Sequence, residues 1–138
     1  MKRIENGTRT EGEYIKNKVI QYNMSILTDE VKQPMEQVSF VVKDDEGKIF
    51  GGVTGMMYFY HLHIDFLWVD ESVRRYGYGS KLLHKIEEIA KGKGCRLILL
   101  DSFSFQAPEF YKKHGYREFG VVEDHPKGHS QHFLEKRL

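Results

Sequence analysis

Cysteine is almost absent from this chain. Cys95 stands alone, which excludes an internal disulfide and any zinc site built from several thiolates. Proline is scarce too, with only Pro34, Pro108 and Pro126, so neither a proline-rich linker nor a collagen-like repeat is present. No apolar run approaches the roughly 20 residues that a membrane-spanning helix needs. The opening stretch MKRIENGTRTEGEYIKNK carries no apolar block behind its basic residues and does not read as a secretory signal. Charge of one sign is missing as well: 21 Lys and Arg against 20 Asp and Glu leave a net charge of +1, without the concentrated basic excess of a general nucleic-acid binder. What the chain does have is 40% hydrophobic and 30% charged residues over 138 positions, enough for a core without crosslinks. The expectation is one cytoplasmic domain over residues 1–138, with neither membrane nor nucleic acid as partner.

Periodicity sets out the elements. Tyr14, Ile15, Val19, Tyr22, Met24 and Ile26 predict a helix over about 12–27. A strand is expected at 37–43, with Val38, Phe40 and Val42 on one face, then a turn at Asp44–Lys48 and a second strand from about Ile49. MYFYHLHIDFLWV, residues 57–69, predicts a further strand with Leu62, Ile64, Phe66 and Trp68 on a wholly apolar face and His61, His63 and Asp65 on a mixed one. Leu82, Leu83, Ile86, Ile89 and Ala90 mark an amphipathic helix that Gly92 and Gly94 stop. Arg96–Leu100 reads as a strand buried on both faces, Pro108–His114 as a short helix, and Tyr116–Val122 and Gln131–Lys136 as closing strands. The fold class expected is a mixed α/β domain in which helices flank a mixed sheet.

The informative unit is Leu67-Trp68-Val69, a loop, then Gly77-Tyr78-Gly79-Ser80 opening a helix. Glycines leave backbone N–H groups unobstructed, and a helix N-terminus attracts anions. Arg74 and Arg75 add forked cationic donors at the same place. The Walker pattern G-x-x-x-x-G-K-[ST] is absent, and a dinucleotide fingerprint would need a small residue where Leu82 stands. Arg74-x-x-Gly77-x-Gly79 after a strand resembles the pyrophosphate-binding motif of the GNAT superfamily of acetyl-CoA-dependent N-acetyltransferases. The run Ala107-Pro-Glu-Phe-Tyr111-Lys-Lys113-His-Gly115-Tyr116 is similar to the family's downstream motif. Together the two motifs span about 57–117, and Leu67-Trp-Val69, Phe105-Gln-Ala-Pro108 and Pro126-Lys-Gly-His129 look like a small bacterial branch.

That resemblance implies the GNAT fold, a mostly antiparallel sheet flanked by about four helices, with acetyl-CoA as cosubstrate. It implies cofactor contacts from Leu67, Trp68, Val69, Arg74, Arg75, Tyr76, Gly77, Tyr78, Gly79, Ser80, Ser104, Gln106 and Tyr111. Two positions depart from the family pattern: Arg75 replaces a frequent Gly, and Ser104 replaces an Asn. Tyr111 matches the tyrosine expected to protonate the departing thiolate, and Asp65 or His63 would take the amine proton. The implied acceptor is a small amine or peptide amine, with a homodimer as a further option. No metal is expected, since His84 and His114 have no partner at ligand spacing. A non-catalytic acyl-CoA sensor on the same scaffold and a nucleotide-phosphate binder are the alternatives.

Overall fold

The computed structural model describes residues 1–138, which divide into two compact units, Met1–Lys32 and Gln33–Leu138. The first unit is helix α1 (Arg9–Ile26) followed by a 3-10 turn at Asp29–Val31. The helix starts three residues before the expected Gly12 because Thr8 and Glu11 form a reciprocal capping box. Glu11 N donates to Thr8 Oγ1 at 3.2 Å, and Thr8 N donates to Glu11 Oε1 at 2.8 Å. Two orphan donors of the first turn are thereby satisfied, and Gly12 is carried inside the helix.

The second unit is a six-stranded sheet: β1 (Glu36–Lys43), β2 (Ile49–Tyr58), β3 (His61–Val69), β4 (Leu97–Phe103), β5 (Arg117–Glu123) and β6 (Ser130–Arg137). The spatial order is β1-β2-β3-β4-β6-β5, and every neighbouring pair is antiparallel except β3–β4. Helix α2 (Tyr78–Gly92) buries Leu82, Leu83, Ile86 and Ala90 against the face carrying Val53, Met57, Leu62, Ile64, Ile98, Leu100 and Leu134. Short helix α3 (Pro108–Lys113) adds Tyr111 to that core. The chain carries three α-helices and two 3-10 segments. No helix is long and apolar enough to cross a membrane.

Three expectations are corrected. Residues 57–69 are not one strand: β2 ends at Tyr58, and Phe59 and Tyr60 turn the chain with φ of 54° and 56°. Such a turn ordinarily uses Gly or Asn. Here Tyr60 N donates to Gln33 Oε1 at 2.8 Å and Tyr60 O accepts from Arg96 N at 2.8 Å, which holds the reversal. The second correction is the apolar face of β3. Thr54 pairs with Phe66 while Gly55 pairs with Ile64, so Asp65 is an inserted bulge residue. A bulge reverses the in-out alternation: Leu62 and Ile64 are buried, but Phe66 and Trp68 are 75% and 49% exposed, and Leu67 and Val69 take over the inward face. Third, β4 is buried on one face only, through Ile98, Leu100 and Ser102, while Asp101 on the other is exposed.

Gly55 explains why α2 approaches so closely beside the bulge. A Cβ there would lie 2.7 Å from Leu62 Cδ1, 2.8 Å from His63 O and 3.3 Å from Ile86 Cδ1. Only glycine fits under that helix.

Candidate active site

The parallel pair β3–β4 is short. His61, Leu62 and His63 face Leu97, Ile98 and Leu99, and pairing stops there. From Ile64 onward β3 is held only by β2, and from Leu100 onward β4 is held only by β6. The bulge at Asp65 supplies the turn away from β4 two residues after the ladder ends at His63. The sheet therefore opens into a wedge whose walls are Ile64–Val69 and Leu100–Phe103, with backbone edge groups on both sides that no strand satisfies. At the β4 wall the amide of Phe103 donates to the Gln106 side chain at 2.8 Å. Gln106 thus caps an edge donor in this structure.

Three elements converge at the open end of β3. A 3-10 segment, Glu71–Tyr76, follows Val69, with Asp70 as its N-cap accepting from Ser72 N at 3.1 Å. The Ser72 hydroxyl and amide hold the Asp70 carboxyl below its ordinary pKa. Gly77 then adopts φ 77°, a left-handed conformation favouring glycine, with open space where a Cβ would stand. Helix α2 starts at Tyr78 with no side-chain cap, which leaves its first amide hydrogens without helical acceptors. A Cβ on Gly79 would meet Phe110 Cζ of α3 at 3.5 Å and Val69 Cγ2 at 3.9 Å, so this turn is seated directly on both elements.

Arg74 Nε donates to Val69 O at 3.0 Å, drawing the guanidinium to the end of β3. Tyr76 is exposed beside Tyr78, their rings 6.5 Å apart, and Lys81 Nζ stands 5.3 Å from the Tyr78 ring centre. The Ser80 hydroxyl is bonded to His114 Nε2 at 3.0 Å, while His114 Nδ1 donates to Phe110 O at 2.8 Å. His114, unassigned by sequence reasoning, is the brace between α2 and α3. Arg75 is exposed on the same segment.

Tyr111 is 8% exposed and its hydroxyl bonds to no protein group. No sealed side-chain polar atom in the structure lacks a partner, so this oxygen is open to an accessible surface. Burial, and then the charge of Asp101, push its pKa up to about 12. The phenol is therefore kept protonated, a proton donor rather than a base. Asp101 stands on the β4 wall, and its Oδ2 accepts from Gln131 Nε2 at 2.9 Å. Sequence reasoning missed Asp101; the signal was a lone carboxylate inside the apolar run LILLDSF.

His63 and Asp65 are brought together, with Nδ1 and Oδ1 2.9 Å apart and both side chains about two-fifths exposed. Asp65 occupies the bulge rather than a regular position on the mixed face. The Ser104 hydroxyl accepts from Ser130 N, at the start of β6, at 3.0 Å. No group of three or more His, Cys, Asp and Glu side chains is arranged to hold a metal ion.

The wedge, the uncapped helix start and the buried phenol can be set beside known proteins. The model of the acetyltransferase (GNAT) family matches residues 7–116. A blasticidin-S acetyltransferase from Streptomyces morookaense is 36% identical over 107 residues, covering 77% of this chain and 79% of that one. The crystal structure of an acetyltransferase from Bacillus cereus superposes with a TM-score of 0.97 at 89% identity, covering 99% of this chain and 98% of the other. At 18% identity and a TM-score of 0.65, the fold is shared with a Bacillus anthracis protein solved with acetyl coenzyme A, over 82% of this chain and 69% of that one. The chain belongs to the GNAT acetyltransferase family.

Proposed function

We propose that this chain, acting as a single domain over residues 1–138, transfers the acetyl group of acetyl-CoA to a primary amine by direct attack on the thioester. The observation that carries the reading is the convergence of the β3–β4 wedge, the Gly77–Ser80 helix start and the unbonded Tyr111 hydroxyl. The cofactor's pyrophosphate would lie on the amides that open α2, where helix dipole and guanidinium charge favour an anion. Arg74 and Arg75 would supply that charge, and Leu67, Trp68 and Val69 would offer backbone edge groups to the pantetheine arm. The Bacillus anthracis neighbour, which shares the fold and was solved with acetyl coenzyme A, supports acetyl-CoA as the cosubstrate.

The chemistry sets requirements that these residues meet. An alkylammonium with a pKa of about 10.4 is neutral in only about one molecule in a thousand near pH 7.4, a penalty of roughly 4 kcal/mol. The neutral nitrogen attacks the thioester carbon, forming the N–C bond as the C–S bond breaks. The amine gives up one proton to the His63–Asp65 pair, directly or through a water. Tyr111 delivers its proton to the departing thiolate, and the proton held by the pair restores the phenol through solvent. Amide and free thiol are the products.

Isothermal titration with acetyl-CoA followed by a thiol-release screen over amines tests the reading. Micromolar binding with amine-dependent thiol release is expected. No binding at millimolar concentration contradicts it, and binding without release for any amine returns the sensor alternative.

A further inference from the structure

Beyond the wedge, the β4 wall continues into a set of aromatic rings that the reaction just described does not use. Phe103 lies two residues past Asp101 and so on the same strand face. Its ring is parallel to that of Phe105, with an interplanar angle of 3° and centroids 5.4 Å apart. His129 stands edge-on to Phe105 at 4.9 Å, and His125 lies 5.9 Å from Phe103. Phe105 is 57% exposed, and both histidines are exposed.

The loops that carry these rings are held by hydrogen bonds to backbone and side-chain acceptors. Ser104 N donates to Ser130 O at 2.8 Å, and Ser130 N returns a bond to Ser104 Oγ at 3.0 Å. The loop opposite is closed by His125 N to His129 O at 2.9 Å and Gly128 N to Asp124 Oδ1 at 2.8 Å. Phe105 and the two histidines are thus exposed around a half-buried Phe103, an aromatic patch of the kind that marks a ligand or partner site. Beside them Asp101 commits one oxygen to Gln131 and keeps the other free of protein partners. Asp101 and Phe103 belong to the stretch of β4 that β3 leaves unpaired, so the rings adjoin the opening of the wedge.

Flat rings with a carboxylate next to them select a ligand by shape and charge. A planar unsaturated group stacks on a phenyl face, and a cation is drawn both to the carboxylate and to the ring face. We propose that Asp101, Phe103, Phe105, His125 and His129 form the acceptor subsite, which takes a cationic amine carried on a flat, unsaturated ring system. The assignment rests on the acetyl-transfer reading above.

The test compares 2-phenylethylamine with 2-cyclohexylethylamine, which differ in flatness but not in size. A ring that can stack on an aromatic side chain is favoured over a saturated ring of the same carbon count, so kcat/KM is expected to be about tenfold higher for the flat amine. F105A abolishes that preference and F105W keeps it, with acetyl-CoA affinity unchanged by titration in both. D101N raises KM for the amine about tenfold and leaves acetyl-CoA affinity alone. Saturation-transfer NMR on the CoA-loaded protein reads binding of both amines where turnover is slow. Equal rates or equal binding for the two amines, or a neutral F105A, overturns the subsite while leaving acetyl transfer standing. Failure to bind acetyl-CoA overturns the underlying reading and the subsite with it. A dimer that F105A dissociates makes the wall an interface between copies and also overturns the subsite.

Discussion

Tyr111 and Tyr116 sit five residues apart with ring centroids separated by 5.8 Å, and both are nearly buried, at 8% and 4% exposure. Both belong to the same core cluster, but their hydroxyls differ in their partners. Tyr116 donates to Glu87 Oε2 at 2.7 Å, the same oxygen that Lys136 Nζ reaches at 3.0 Å. That hydroxyl is locked into a buried ion pair, and its pKa is raised by burial and by Glu87. Tyr111 carries a similar desolvation but no bond. Among buried polar groups a missing partner is costly, so a phenol left open beside a wedge of unpaired backbone is the one proposed above as the acid. Burial alone does not distinguish a structural tyrosine from a reactive one; the partner does.

The largest way to break the comparison is Tyr111→Phe. Removing a positioned acid ordinarily costs about 100-fold or more in rate, and acetyl-CoA affinity should stay within about twofold by titration. Unchanged turnover would put Tyr111 with Tyr116 among the structural residues. Next is Gly55→Ala beside the wedge. Overpacking at this depth costs about 1–3 kcal/mol, read as a lower thermal midpoint, because backbone at His63 cannot give way as a side-chain tip can.

Tyr116→Phe is the converse of the first substitution. It leaves Glu87 buried with Lys136 only, a loss of about 1–3 kcal/mol, visible in urea unfolding with turnover per folded molecule retained. Arg74→Ala should weaken acetyl-CoA binding about tenfold, the scale of one charge-assisted hydrogen bond, with turnover at saturation little changed. Alkaline pH sharpens the pair further. The folded state holds the Tyr111 proton up to about 12, whereas an unfolded phenol releases it near pH ~10. The stability from this group is intact below about pH 10 and is lost as pH rises toward about 12. Urea midpoints across that range should fall less steeply for Tyr111→Phe than for the parent chain.

Much of this was legible in the sequence where a local rule and the global fold agree. The α2 stripe, the Asp44–Lys48 turn and the helix-opening glycines each follow from period, turn chemistry or spacing, whereas Tyr111 was singled out by the family resemblance. What was not legible depends on contacts distant in sequence. The Asp65 bulge arises from the register of β2 against β3, with Gly55 under Ile86, and the alternation Leu62, Ile64, Phe66, Trp68 gives no sign of it. The Phe59–Tyr60 reversal is held by Gln33 and Arg96, residues from elsewhere in the chain. Thr8-x-x-Glu11, by contrast, was a readable capping signal that periodicity overshadowed. Asp101 needed the split between β3 and β4 before its exposure had meaning.

The central claim is that the place where β3 parts from β4 is where the thioester sits. A crystal structure with coenzyme A tests it most directly. The account predicts the CoA sulfur between the Ile64–Val69 and Leu100–Phe103 walls, within about 3–4 Å of the Tyr111 hydroxyl, and the pyrophosphate on the amides of Gly77–Ser80. A sulfur lying outside the wedge, or a pyrophosphate away from the start of α2, would contradict it.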